Sequence, residues 1–209
     1  FLDEMGQFAP KVLDGLREAL EDGCIMVGRV EQTRVAMPAR FQLVGATNPC
    51  PCGGGGPLID CACDERVRQR YTQRLSGPLL DRFDLRIAVR RPDVDELLDR
   101  TPGESTADVA ARVRAVRDAT LSGRGRLNAD LDEAALNQYA RLDPSAERLI
   151  RSEMERGRLT GRGYHRVRRV ARTLADLADG VDAAVGERHL ASALSMRARV
   201  GLSAVEQAA

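Results

Sequence analysis

The stretch NPCPCGGGGPLIDCAC, Asn48 to Cys63, holds four of the chain's five cysteines. Cys50, Cys52, Cys61 and Cys63 form two Cys-x-Cys pairs separated by eight residues. Four thiolates can enclose a zinc ion tetrahedrally, and the glycines from Gly53 to Gly56 allow the sharp turns that bring the two pairs together. Four sulfur ligands leave no open position for water or substrate, so a zinc held here would brace a loop rather than take part in chemistry. Reduced, inert thiols and disulfides are the alternatives to a metal. Cys24 stands apart and reads as a small buried hydrophobe.

Three further groups carry chemically useful side chains. Phe1 and Leu2 are followed by Asp3 and Glu4, the pattern of an apolar strand ending in the acidic pair with which P-loop NTPases hold Mg²⁺ and polarise water. Asp3 would orient the metal through its water shell and Glu4 would act as general base; a solvated helix start explains the same pair. The apolar run FQLVGAT ends in Asn48, whose neutral amide could hold a water or a phosphate without adding charge, or could simply form a turn before Pro49. In SGPLLDRFDL, Arg82 sits among Leu79, Leu80 and Phe83, a setting rigid enough for an arginine finger. An ion pair with Asp81 or Asp84 is the plainer reading.

These residues need elements to position them. Val12, Leu16 and Leu20 recur at helical spacing after Pro10, and Gly23 supplies a stop. Two β-rich arms around 30–33 suggest a hairpin, and the continuous apolar run at 41–47 suggests a central strand of a parallel sheet. Val67, Tyr71 and Leu75 mark another helix, and the alternation Leu85, Ile87, Val89 a half-buried strand. After the linker-like RTPGEST, 100–106, only helical patterns remain, at about 107–121, 132–141, 145–156, 161–179 and 187–199. Ser105 and Asp108 offer a capping box for the first of them. The expected architecture is α/β over residues 1–100, followed by an all-α domain over 101–209.

Composition narrows the class. With 43% hydrophobic and 30% charged residues the chain is an ordinary globular one, and no apolar run reaches the length of a membrane span. The net charge of +1 selects no partner, so nucleic-acid binding would have to come from local patches. Clustered cysteines suit a reducing, cytoplasmic compartment. His165 and His189 read as surface helix positions without catalytic roles, and Arg162, Arg166, Arg168, Arg169 and Arg172 as a mostly solvated basic face.

FLDEM, FQLVGATNPCPCG, RLSGPLLDRFDL and GRGYHRVRRVARTLADL stand in the order and at about the spacing found in AAA+ ATPases of the magnesium-chelatase-like group, and the chain resembles its competence-protein branch most. The resemblance covers essentially the whole chain and implies the C-terminal part of an AAA+ core with a parallel sheet, followed by a helical lid. It implies that Asp3 and Glu4 are the Walker B pair, Asn48 is sensor 1 and Arg82 is the arginine finger. Arg162 would be the sensor 2 arginine, with Arg166 and Arg169 as alternatives. The hairpin resembles one that faces the pore in related hexamers, where Arg29 and Arg34 would meet a DNA backbone; a solvated hairpin is the alternative. ATP and Mg²⁺, a self-assembled hexameric ring and DNA are the cofactors and partners so implied. The Gly-rich phosphate loop, which the family places upstream of FLDEM, is absent, and Lys11, the sole lysine, lies downstream of the acidic pair. The chain therefore reads as a fragment inactive alone, taken from a DNA-remodelling motor. A magnesium-chelatase motor subunit acting on a porphyrin and a zinc-braced scaffold without activity are the competing functions.

Overall fold

The computed structural model describes residues 1–28, 34–54, 61–75, 77–89 and 92–197. The chain divides into two compact units, one over Phe1–Arg91 and the other over Pro92–Arg197.

In the first unit, helix α1 (Pro10–Asp22) opens on a proline, where a missing N–H costs nothing. It stops at Gly23, whose φ of 65° suits a residue without Cβ and whose N–H reaches the Ala19 carbonyl at 3.0 Å. The buried residue in its first turns is Leu13, while Val12 is 55% exposed, so the apolar stripe runs one position later there than the sequence spacing suggested. Strands β1 (Cys24–Val27) and β2 (Val35–Pro38) pair antiparallel, Cys24 opposite Pro38 and Val27 opposite Val35. This is the expected hairpin, though Cys24 is only half buried. Helix α2 (Glu65–Arg74) begins at Asp64, whose Oδ1 accepts the Val67 N–H at 2.8 Å, and the short α3 (Gly77–Leu80) follows. Met5, Leu13, Leu75 and Leu79 form the core, flanked by Leu2, Phe8, Leu16, Leu20, Leu80 and Phe83.

Among the described residues the expected parallel sheet is present only as a single contact. Leu2 and Gly45 form an isolated parallel bridge: the Leu2 N–H reaches Val44 O at 2.8 Å and the Ala46 N–H reaches Leu2 O at 2.9 Å. Met5 N–H adds a bond to Ala46 O at 2.7 Å. A ladder of that length does not make a regular strand of 41–47, and Phe41 and Val44 remain exposed. The segment 85–89 is likewise no strand among the described residues, and Ile87 and Val89 are exposed.

The second unit is helical: α4 (Val94–Leu98), α5 (Thr106–Arg124), α6 (Glu133–Tyr139), α7 (Pro144–Glu155), α8 (Gly161–Asp179) and α9 (Glu187–Ser195). The α4 helix falls where no helical pattern was evident, because a reciprocal cap starts it: Asp93 Oδ1 accepts the Glu96 N–H and Glu96 Oε2 accepts the Asp93 N–H, at 2.8 and 3.1 Å. Single side-chain oxygens of Ser105, Asp132, Asp143 and Thr160 cap the four helices that follow, without the reciprocal bond. The core joins Leu131, Leu136, Ile150, Leu159, Val167, Val185 and Leu190 with six alanines that let the helices approach closely. Among the described residues no helix is long and apolar enough to cross a membrane.

Candidate functional site

The parallel bridge sets one edge of the first unit. Asp3 and Glu4 follow Leu2 directly, and Asn48 lies three residues past Gly45, so the two segments run the same way and carry these side chains at their adjoining carboxyl ends. All three are exposed. Asp3 Oδ1 accepts the Glu4 N–H at 2.9 Å, and Glu4 has a φ of 49°, the only non-glycine in that region among the described residues. A left-handed residue at the end of a bridge turns the chain sharply into the 3-10 turn Met5–Gln7. Gly45 lets the segments touch without displacing Met5, since a Cβ there would lie 2.7 Å from Met5 Sδ.

Behind Asn48 the four cysteines converge. Their sulfurs all lie within 4.8 Å of one another, and all four are free thiols. Cys50 to Cys52 is 3.4 Å, Cys52 to Cys61 3.8 Å and Cys50 to Cys61 3.0 Å. A tetrahedral zinc with Zn–S bonds of about 2.3 Å needs sulfurs about 3.8 Å apart, so modest adjustment of this cluster accepts the ion. Burial, chiefly, pushes the Cys50 thiol up to about 12, whereas the Gly54 N–H, 3.3 Å from Cys52 Sγ, helps lower Cys52 to about 6. An N–H aimed at a sulfur is the support a ligating thiolate requires. Cys63 stands immediately before the Asp64 cap, which fixes the cluster to the start of α2.

Arg82 is inside rather than at the surface. It is 8% exposed; its Nη1 donates to Pro78 O at 2.6 Å, and its Nη2 pairs with Glu21 in the last turn of α1. The sequence pointed to Asp81 or Asp84 as ion-pair partners, but Glu21, 61 positions away, is brought there by α1 packing on α3.

In the second unit the arginine-rich face of α8 is split. Arg162 is exposed near the helix start, with Arg166 and Arg169 half buried. Arg168 and Arg172 are 4% and 2% exposed, so the expectation of a mostly solvated run does not hold for them. Arg168 donates to Leu136 O and Ala140 O at 2.8 and 3.2 Å, covering the carbonyl end of α6. Arg172 Nε donates to Asp176 at 2.9 Å, and Arg124 grips the same carboxylate with two bonds of 2.8 and 2.7 Å. Asn128 Nδ2 adds a bond of 2.6 Å to that carboxylate. His189 is also buried, contrary to its surface assignment: its Nδ1 accepts the Gly186 N–H at 3.1 Å, and its Nε2 lies 3.0 Å from Asp179. Arg34 is exposed beside the hairpin, and Arg29 lies outside the described residues.

Sequence reasoning missed Glu21, Asp176 and Tyr71. Asp176 left a trace, an acidic residue four positions after Arg172 on a face otherwise rich in alanine and valine.

The first unit thus carries an acidic turn, an asparagine and a four-cysteine cluster, and the second is helical throughout. The family described as magnesium chelatase, subunit ChlI, matches residues 1–97, and the C-terminal family of the same subunit matches 103–197; the chain belongs to this family. It is 38% identical to competence protein ComM of Haemophilus influenzae over 205 residues, 97% of this chain and 39% of that protein. It is 39% identical to YifB of Escherichia coli over 201 residues, 95% of this chain and 38% of that protein, and 40% identical to Rv2897c of Mycobacterium tuberculosis over 94% of this chain and 39% of that protein. The chain thus spans about two fifths of the length of the relatives it matches.

Proposed function

We propose that these residues are the C-terminal part of an AAA+ ATP-hydrolysing motor, and that the whole protein acts on DNA as a ring. The observation that carries this is the parallel bridge of Leu2 with Gly45, which sets Asp3, Glu4 and Asn48 at the carboxyl ends of adjacent segments, where α/β sheets bind ligands. Asp3 would hold Mg²⁺, which would supply positive charge to the phosphates, Glu4 would take the proton of the attacking water, and the Asn48 amide would hold that water or the γ-phosphate. Arg82 serves a neighbouring subunit's nucleotide and Arg162 the lid side of its own. Residues 1–100 then belong to the nucleotide-binding core and 101–209 to the lid. Arg34, beside the hairpin, meets DNA phosphates along the pore. Zinc at the four cysteines braces the chain between Asn48 and α2. The setting is the cytoplasm, where the cysteines stay reduced. In a protein of the relatives' full length, Glu4→Gln is expected to keep ATP binding and lose hydrolysis; turnover at the parent rate overturns the site assignment.

Membership of the chelatase family favours a second substrate reading, a motor for magnesium insertion into a porphyrin. Stimulation of the ATPase by DNA selects the first reading, and porphyrin metallation without DNA stimulation selects the second.

A further inference from the structure

Tyr71 was evident in the sequence only as part of an apolar helix face. In the structure it is 5% exposed on α2, and its hydroxyl lies 3.1 Å from Thr47 Oγ1. The Thr47 hydroxyl itself lies 3.3 Å from the carbonyl of Asn48 and donates to it. Either hydroxyl can donate in the Tyr71–Thr47 bond; when the one proton of the threonine is on Asn48 O, it is Tyr71 that donates. In that arrangement the chain runs Tyr71 O–H to Thr47 Oγ1 and Thr47 O–H to Asn48 O.

The other wall of the tyrosine's slot is Gly6, two residues after Glu4. A Cβ on Gly6 would stand 2.4 Å from the Tyr71 hydroxyl oxygen, 2.5 Å from Cζ and 2.8 Å from Thr47 Oγ1, so a glycine is needed for this approach. Arg74, one turn on from Tyr71, donates to Gly6 O at 3.4 Å. The backbone bonds of Leu2, Met5 and Ala46 hold the two segments together as far as Ala46. From Thr47 onward the side chain of Tyr71 makes the tie, touching both segments at once. At its N-terminal end the same helix starts at Asp64, next to Cys63 of the sulfur cluster.

We propose that Tyr71 is a positioning residue for the nucleotide site: through Thr47 it sets the backbone of Asn48, against Gly6 it sets the acidic turn, and α2 links both settings to the metal centre. This rests on the reading of Asn48 and Glu4 as nucleotide-site residues. Phenylalanine at this position keeps the ring packing and removes only the relay.

The test uses a protein of the relatives' full length, with ATP turnover, KM for ATP, metal content and thermal midpoint measured together. Tyr71→Phe is expected to lower kcat about three- to tenfold, the range of one lost hydrogen bond, with KM, metal content and midpoint close to the parent. Thr47→Val, which keeps the branched shape, is expected to give the same loss, and the double variant no more than either single one. Additive losses, a kcat equal to the parent in either single variant, or a fall in kcat matched by lost metal or a lowered midpoint overturns the proposal. Asn48→Ala separates it from the reading beneath it. If Asn48→Ala abolishes turnover while Tyr71→Phe leaves it unchanged, only the positioning role fails; if Asn48→Ala turns over normally, the nucleotide reading itself fails.

Discussion

At Arg82, one guanidinium faces two demands. A finger must present its donors to another subunit, yet Glu21 and the Pro78 carbonyl draw this one inward until its side chain is 6% exposed. The Glu21 side chain keeps 36% of its surface, so water still reaches the pair from that side. Charge neutralisation inside the unit is therefore the first role of Glu21, and engagement of a neighbour's nucleotide would exchange one anion for another. Glu21→Gln keeps the size and removes the charge. In this chain it is expected to cost about 1–3 kcal/mol of stability, since a nearly buried cation loses its counter-charge; urea unfolding measures this, and an unchanged midpoint would show that the pair contributes nothing. In a protein of the relatives' full length, Arg82→Ala is expected to leave ATP binding intact and reduce turnover on the order of 10³ to 10⁵. Turnover equal to the parent would leave Arg82 with only its partner on α1.

Helix α8 shows how an element divides its arginines. Its polar-looking sequence suggests solvent, but Arg168 and Arg172 lie on the face that packs against α6 and the turn after α8, where carbonyls need donors. Burial lowers the pKa of Arg172, and the Asp176 carboxylate opposes that shift. Asp176 has no exposed side-chain surface and serves Arg124 from α5, Arg172 and Asn128 together. Asp176→Asn leaves two buried guanidiniums without their anion and is expected to cost about 3–5 kcal/mol, read as a lowered midpoint in thermal or urea unfolding of this chain. A loss below about 1 kcal/mol would mean the carbonyls around Arg172 suffice alone. Helices such as α5 and α8 were legible because apolar periodicity coincides there with a cap, at Ser105 and Thr160, whereas α4 has its cap without the periodicity. The split of the arginines was not legible, since periodicity marks which positions face inward but an arginine there finds its partners only through the fold.

Across the whole molecule, the sequence located residues that lie close in the chain, and the fold supplied those that do not. The cysteine cluster was readable from spacing because a short glycine-rich loop joins its two pairs; the parallel sheet was overread because an apolar run becomes a strand only beside other strands, and among the described residues a single bridge, at Leu2, stands beside it. Each unit has a core of its own, Leu13 and Leu79 in one, Leu136 and Leu190 in the other. A metal at the cysteines would therefore act locally. It would fix Cys63 and with it the N-terminal end of α2, whose side chain Tyr71 reaches Thr47 and Gly6. The chain purified without chelator is expected to hold one zinc, and stripping it is expected to raise amide exchange in α2 and around Thr47 while exchange in α8 stays as before. The reason is the route of the constraint: α2 makes its cap at Asp64, beside a ligand, whereas α8 is capped by Thr160 and anchored by Asp176 in the other core. Less than about 0.2 metal per chain removes the brace. Faster exchange throughout both units would make the metal a determinant of global stability instead of a local fastening of α2.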